Sequence, residues 1–329
     1  MAAFLPKPST SKDEQVYHQG FFALYRKELA DHLDSTRFSL IFILLIMTSG
    51  ASLFGALGGL SSAVANDNQF IFLKLFTTSS SSIPSFVTFM GFLGPLAGLT
   101  LGFDAINRER AQGTLHRLAA QPIYRDAIIN AKFLAGATVV TLMVFSIGIL
   151  LSACGLLSTG IAPSAEEIVR IFVFLVFTTV YICFWLGLAI FFSVVSKYAA
   201  TSALAVIAIW IFFAFFMSLI AGTVADLLFP VNDLISAIGN SARNVECELA
   251  LNRISPYYLY SEAISTILNP GVRSIGIVTT NQLSGAIVGY LPLGQSLLLV
   301  WPHLVGLFAL MICAFAASYI CFMRQEIRI

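Results

Sequence analysis

The residues best equipped for chemistry in this chain are its histidines, serines and cysteines, and their spacing supports none of the common reactions. His18, His32, His116 and His303 are scattered, and no H-E-x-x-H run sets two imidazoles on one helical face for zinc, so no metal site is expected. Ser158 in LLSTG and Ser284 in LSGA lack a G-x-S-x-G elbow and a base to activate them. Cys154, Cys183, Cys247, Cys313 and Cys321 form no C-x-x-C pair. All but Cys247 lie in apolar runs, where a thiol packs as a small hydrophobe; a disulfide at Cys247 would join two chains. There is no G-x-x-x-x-G-K-[ST] loop to cradle phosphates, so if the chain serves an ATP-driven process, the ATPase is a different chain. The expectation is a protein that is not itself an enzyme.

What remains is a chemistry of docking. RERAQGTLHRLAAQPIYRD, residues 108 to 126, gathers Arg108, Glu109, Arg110, Arg117, Arg125 and Asp126 in a chain of which only 11% is charged. Placing such residues in lipid costs about 2.5–3.5 kcal/mol each, which keeps the stretch out of the bilayer. Thr114 can cap a helix that begins at Leu115, and Gly113 frees the backbone to turn out of the preceding segment. Leu115 and Leu118 then share one face, with Ile123 beyond, and Pro122 ends the helix. The pattern predicts a short amphipathic helix lying along the membrane between two tight corners.

The elements that must position this helix are membrane spans. With 58% hydrophobic residues, 29 Phe and a mean hydropathy of +0.87, most of the chain must be solvated by lipid. Six stretches are long enough to cross, at 38–62, 84–105, 131–157, 168–195, 199–229 and 298–322. The polar residues 1–37 are too long for a signal-peptide n-region, so the first span reads as an uncleaved anchor. With both termini cytoplasmic, thirteen of the 18 Lys and Arg fall inside, as the positive-inside rule requires of a cell-membrane protein. Residues 230–297 then form an external segment; Ile275 to Leu291 is apolar, but Asn281 and Gln282 interrupt it and it is short for a span. The predicted fold is an all-α integral membrane protein: a cytoplasmic N-terminus (1–37), five spans with the 109–123 helix between the second and third (38–229), the external segment, and a sixth span with a cytoplasmic tail (298–329).

Two amphipathic helices flank the spans. In GFFALYRKELADHLDSTRF, Phe22, Tyr25, Leu29 and Leu33 recur every three or four residues, and Lys27–Asp31 and Glu28–His32 are i, i+4 neighbours. A helix of this kind lies in the interface. In RISPYYLYSEAISTILNPG, Ser255 is a cap, Pro256 suits the first turn and Asn269-Pro270-Gly271 stops a second surface helix. Its Tyr260, Ile264, Ile267 and Leu268 share a face that would rest on the spans or the outer leaflet. Gly94, Gly98 and Gly102, like Gly55 and Gly59, form grooves for close helix approach, beside a possible kink at Pro95; packing within the chain is the first reading and a moving or dimeric interface the second. No ionisable residue falls in the middle of any span.

The order Glu109-x-x-x-Gly113-Thr114-Leu115-x-x-Leu118-x-x-x-Pro122-Ile123-x-Arg125, after a second span ending at Asp104, resembles the coupling helix of permease subunits of type II ATP-binding cassette (ABC) exporters. Arg26-Lys27-Glu28-Leu29 is similar to that family's connecting helix, and the resemblance extends to the span count, the termini and the external segment. It implies two permeases, identical or homologous, and two ATPase subunits that hold ATP and Mg, with no cofactor in this chain. It also implies a path lined by spans one, two and five, external helices over its outer mouth, surrounding membrane lipid, a possible accessory external protein and no nucleic acid. A substrate could be a lipid, an apolar drug or a hydrophobic peptide. An ion-coupled secondary transporter or channel is the alternative, disfavoured by the lack of mid-span ionisable groups. A scaffold that recruits a partner without moving solute is another.

Overall fold

The computed structural model describes residues 11–66, 69–80, 82–114, 124–231, 234–271 and 290–325. Helices run in the order α1 (Ser11–Leu33), α2 (Thr36–Asn66), α3 (Ile71–Thr77), α4 (Phe86–Gly102), α5 (Asn107–Ala111), α6 (Arg125–Thr159), α7 (Ala165–Val195), α8 (Ala199–Ile211), α9 (Met217–Leu228), α10 (Leu234–Asn252), α11 (Pro256–Leu268) and α12 (Leu293–Arg324). There is no strand among the described residues. Among the described residues, six helical stretches are long and apolar enough to cross a membrane: Thr36–Leu60, Phe86–Ala111, Arg125–Thr159, Ala165–Val195, Ala199–Leu228 and Leu293–Arg324. This is an all-α integral membrane protein with the spans that hydropathy predicts, the last beginning a little earlier than read.

α7 is the central post. Phe174, Tyr181, Trp185 and Leu186 are fully buried along it, and α4, α6, α11 and α12 all pack against it. The glycine row explains how α4 comes so close. A Cβ on Gly98 would lie 2.6 Å from the Ile182 carbonyl oxygen, and one on Gly102 would lie 2.8 Å from Ala189 Cβ. Gly94 meets only the Ile182 side chain, at 3.0 Å. The groove therefore serves packing within the chain. Pro95 has no N–H to give the Gly91 carbonyl one turn earlier. Tyr181 Oη supplies the missing bond at 3.0 Å.

Two faces can be distinguished by charge. The basic face collects Arg37, Arg108, Arg110, Arg125 and Lys132 at the ends of α2, α5 and α6. The far face is organised by the first turns of α7. Ser164 and Glu167 form a capping box, and Glu167 Oε1 also accepts the Phe72 N–H at 2.9 Å, fixing α3. Arg170, with no exposed surface, donates to Glu166, to the Ile267 and Leu291 carbonyls (2.7 Å each) and to Ser296 Oγ. One buried guanidinium thus joins α7, the end of α11 and the start of α12, and each of its hydrogen-bond partners is an acceptor.

The 256–268 helix does not lie on the surface as expected. α10 descends beside α9, the chain turns at Arg253–Ser255, and α11 climbs back between α4, α7 and α12. Tyr260, Ile264, Ile267 and Leu268 are buried, and the Tyr260 ring stacks on Tyr181, centroids 4.4 Å apart. The depth of the turn has a local cause. Span five contains a π-helical turn, Phe212–Phe216, midway between its ends, and π turns displace the regular i→i−4 bonding. Ser255 Oγ donates to the Phe213 carbonyl there at 3.1 Å, so the hairpin tip is seated at the middle of the span.

Candidate functional site

The segment that sequence singled out leaves the bundle at its basic face. Leu115, Leu118 and Pro122 lie outside the described residues, as does Ile123, but both flanks are defined. On the first flank, the Ile106 and Asn107 N–H groups donate to Ser193 Oγ at 3.0 and 3.2 Å, tying the start of α5 to the end of α7. Arg110 donates to the Val194 and Ser196 carbonyls and to Gln325 Oε1, the last at 2.8 Å. Gly113 then takes φ 69°, where a side chain would be strained, and opens the corner. On the second flank, Arg125 donates to the Phe322 and Gln325 carbonyls at 3.0 and 2.9 Å and lies over the Phe322 ring. Gln325 closes the figure by donating to the Val194 carbonyl at 2.7 Å. The first flank is therefore clamped to the ends of α7 and α12 and the second to the end of α12, which Gln325 ties to α7.

The helix that Thr114 was expected to cap lies outside the described residues. The Thr114 hydroxyl donates back to Glu109, to the carbonyl oxygen at 3.2 Å and to Oε2 at 3.3 Å. Glu109 is itself buried, because Lys132 Nζ reaches its Oε1 at 2.9 Å and the Glu28 Oε1 at the same distance. Lys27 sits nearby, 3.2 Å from Glu28 and 3.6 Å from Glu109. One buried ammonium thus joins α1, α5 and α6. Burial opposes ionisation of Glu28, yet Lys132 and Lys27 outweigh it and hold its carboxyl below the ordinary range. Burial also lowers Lys27, and its acidic neighbours raise it further than burial lowers it.

The α1 face divides. Leu24 and Glu28 are buried against α6, Tyr25 and Leu29 are half-buried, and Tyr25 Oη is 2.8 Å from Thr138 Oγ1. Phe22 and Leu33 are exposed, since the helix packs along the stripe on which Glu28 can reach Lys132. Lys27–Asp31 forms at 3.4 Å, but Glu28 turns to Lys132 instead of His32. Glu109 and Glu28 both stood in segments that the sequence singled out, but nothing in the sequence pointed to Lys132 as the cation they share.

A second charged group lies at the hairpin tip, and sequence gave no hint of it. Arg253 grips Glu262 with two bonds, 3.0 and 2.8 Å, and His303 Nε2 is 2.7 Å from Glu262 Oε2. Ser296, which touches Arg170, and His303 are two turns apart on α12, so the cluster lies about 10 Å inward of the Arg170 layer. Ionisable residues do reach the depth of the spans, carried there by the segment between the fifth and sixth. His303 Nδ1 is buried without a partner among the described residues.

Comparison with known proteins agrees on one family. Residues 22–327 match the model for the ABC-2 family transporter protein. A curated relative, the probable ABC transporter permease protein NosY of Pseudomonas aeruginosa, is 29% identical over 204 residues, which cover 60% of this chain and 68% of the relative.

Proposed function

The chain belongs to the ABC-2 family of transporter proteins, and from that premise we propose that it is the membrane permease of an ATP-driven exporter in the cell membrane, with its basic face cytoplasmic. ATP and Mg2+ are held by a separate ATPase subunit that docks on residues 109–123. The working unit has two permeases, this chain with a copy or a homologue, and an accessory protein can meet its external side. Closure of the ATPase pair displaces the docking segment. The observation that carries this reading is the double arginine clamp: Arg110 and Arg125, one on each side of the segment, hold the ends of α7 and α12, so a push on the segment is delivered to the central post and to the last span. Such a movement is useful only if something outside the chain supplies it.

The test is a mild-detergent pull-down of the tagged chain with mass spectrometry and an ATPase assay. The expected result is a stoichiometric partner with a phosphate-binding loop, lost with Leu115→Asp/Leu118→Asp while the variant remains inserted. Retained transport and normal ATPase coupling in that variant would sink the assignment. The Arg253–Glu262–His303 cluster favours a second reading, an ion-coupled transporter, because a coupling ion needs polar residues at this depth. Solute movement driven by a proton gradient without ATP would select it.

A further inference from the structure

Above the docking segment, between α1, α2 and the α4–α5 junction, lies a cavity of about 560 Å3. We propose that it binds the phosphate of a phospholipid drawn from the leaflet on the basic face. The inference does not rest on the transport reading, since it concerns the isolated chain.

Each carboxylate that lines the cavity has a cation at hand. Glu28 and Glu109 share Lys132, with Lys27 close to both, Asp104 pairs with Arg37, and Asp31 lies 3.4 Å from Lys27. The unspent capacity belongs to donors. Arg108 lines the cavity, and its guanidinium makes no hydrogen bond or ion pair among the described residues. The His32 ring also lines it without a hydrogen bond, and burial holds that imidazole below its ordinary value, so it remains a neutral N–H donor at neutral pH. A guanidinium and an N–H in search of acceptors fit a phosphate oxygen, and a guanidinium can meet two at once.

The apolar part of the wall distinguishes a lipid from a free anion. Leu24, Phe38 and Leu101 form an apolar wall on the side of the cavity towards the spans. Inorganic phosphate has no use for such a wall, whereas the first carbons of an acyl chain do. Arg37 and Phe38 open the first span, the level at which headgroups sit.

Native mass spectrometry of the purified full chain, titrated with dioleoyl phosphatidylglycerol or with inorganic phosphate, tests the proposal. The expected result is one retained lipid per chain, weakened about tenfold by Arg108→Gln and weakened also by Phe38→Ser, which takes the ring from the apolar wall. The Arg108 side chain is exposed and unpaired among the described residues, so its replacement leaves the fold intact and keeps the proposal falsifiable if Phe38→Ser fails to fold. Equal lipid retention in wild type and Arg108→Gln would mean non-specific lipid and overturn it. Phosphate binding lost in Arg108→Gln with no discrete lipid bound would overturn it in favour of a free-anion site. A cavity that takes neither probe, yet protects Arg108 from modification once the ATPase partner is added, would assign it to protein docking and overturn it too.

Discussion

The two charged clusters share one plan, a central group of one sign held between two partners. At the basic face, Lys132 stands between Glu28 and Glu109; at the hairpin tip, Glu262 stands between Arg253 and His303. Each fastens a helix that does not cross the membrane to one that does, α1 to α6 and α11 to α12. They differ in depth. The first lies at the ends of the spans, where water can screen an unpaired charge, and the second lies two turns inward of Arg170. The comparison teaches that the same ionic geometry serves as an adjustable joint at one depth and as a fixed rivet at the other.

Breaking the deeper cluster should have the larger effect. Glu262→Leu leaves the buried His303 and the partly exposed Arg253 at the middle of the spans without their shared carboxylate, and is expected to cost about 4 kcal/mol. Thermal unfolding in nanodiscs measures it. Lys132→Met should cost about 3 kcal/mol, because the stranded Glu28 and Glu109 can turn to Lys27 and to water. Equal losses in the two variants would show that depth does not separate the clusters.

The glycine row gives a smaller, graded test of the post to which both clusters report. Gly98→Ala should cost about 1–3 kcal/mol, because its methyl meets the Ile182 backbone, which cannot move alone. Gly94→Ala meets the end of a flexible side chain and should cost less; the reverse order would contradict the packing described. Smallest is the response to acid. Because the Glu28 carboxyl is held below its ordinary value, its contribution is fully present above the ordinary carboxylate range and is lost as pH falls through the lowered folded value. Hydrogen exchange should show α1 loosening from α6 over that acid range while α7 stays protected.

The spans and the basic corner were legible because lipid imposes a long apolar run and expels charge, and both leave marks in consecutive residues. Gly94, Gly98 and Gly102 were legible as a groove, although its occupant, Ile182 to Ala189, is recognisable only in three dimensions. The exposed Phe22 and Leu33 followed the expected wheel, but a wheel does not see that Glu28 has a buried partner on α6. The hairpin tip was hidden most completely. Arg253 and Glu262 read as ordinary polar residues of an external segment, and the histidine that receives them is 41 positions from Glu262.

That spacing also sets an order of events in the making of the protein. α10 and α11 emerge before α12, yet Glu262 needs His303, and Arg170 needs the Leu291 carbonyl and Ser296. The hairpin can meet Phe213 and Tyr181 before the last span is made, but its charged partners come only with α12. The arrival of the sixth span therefore both completes the bundle and locks the waiting hairpin in place.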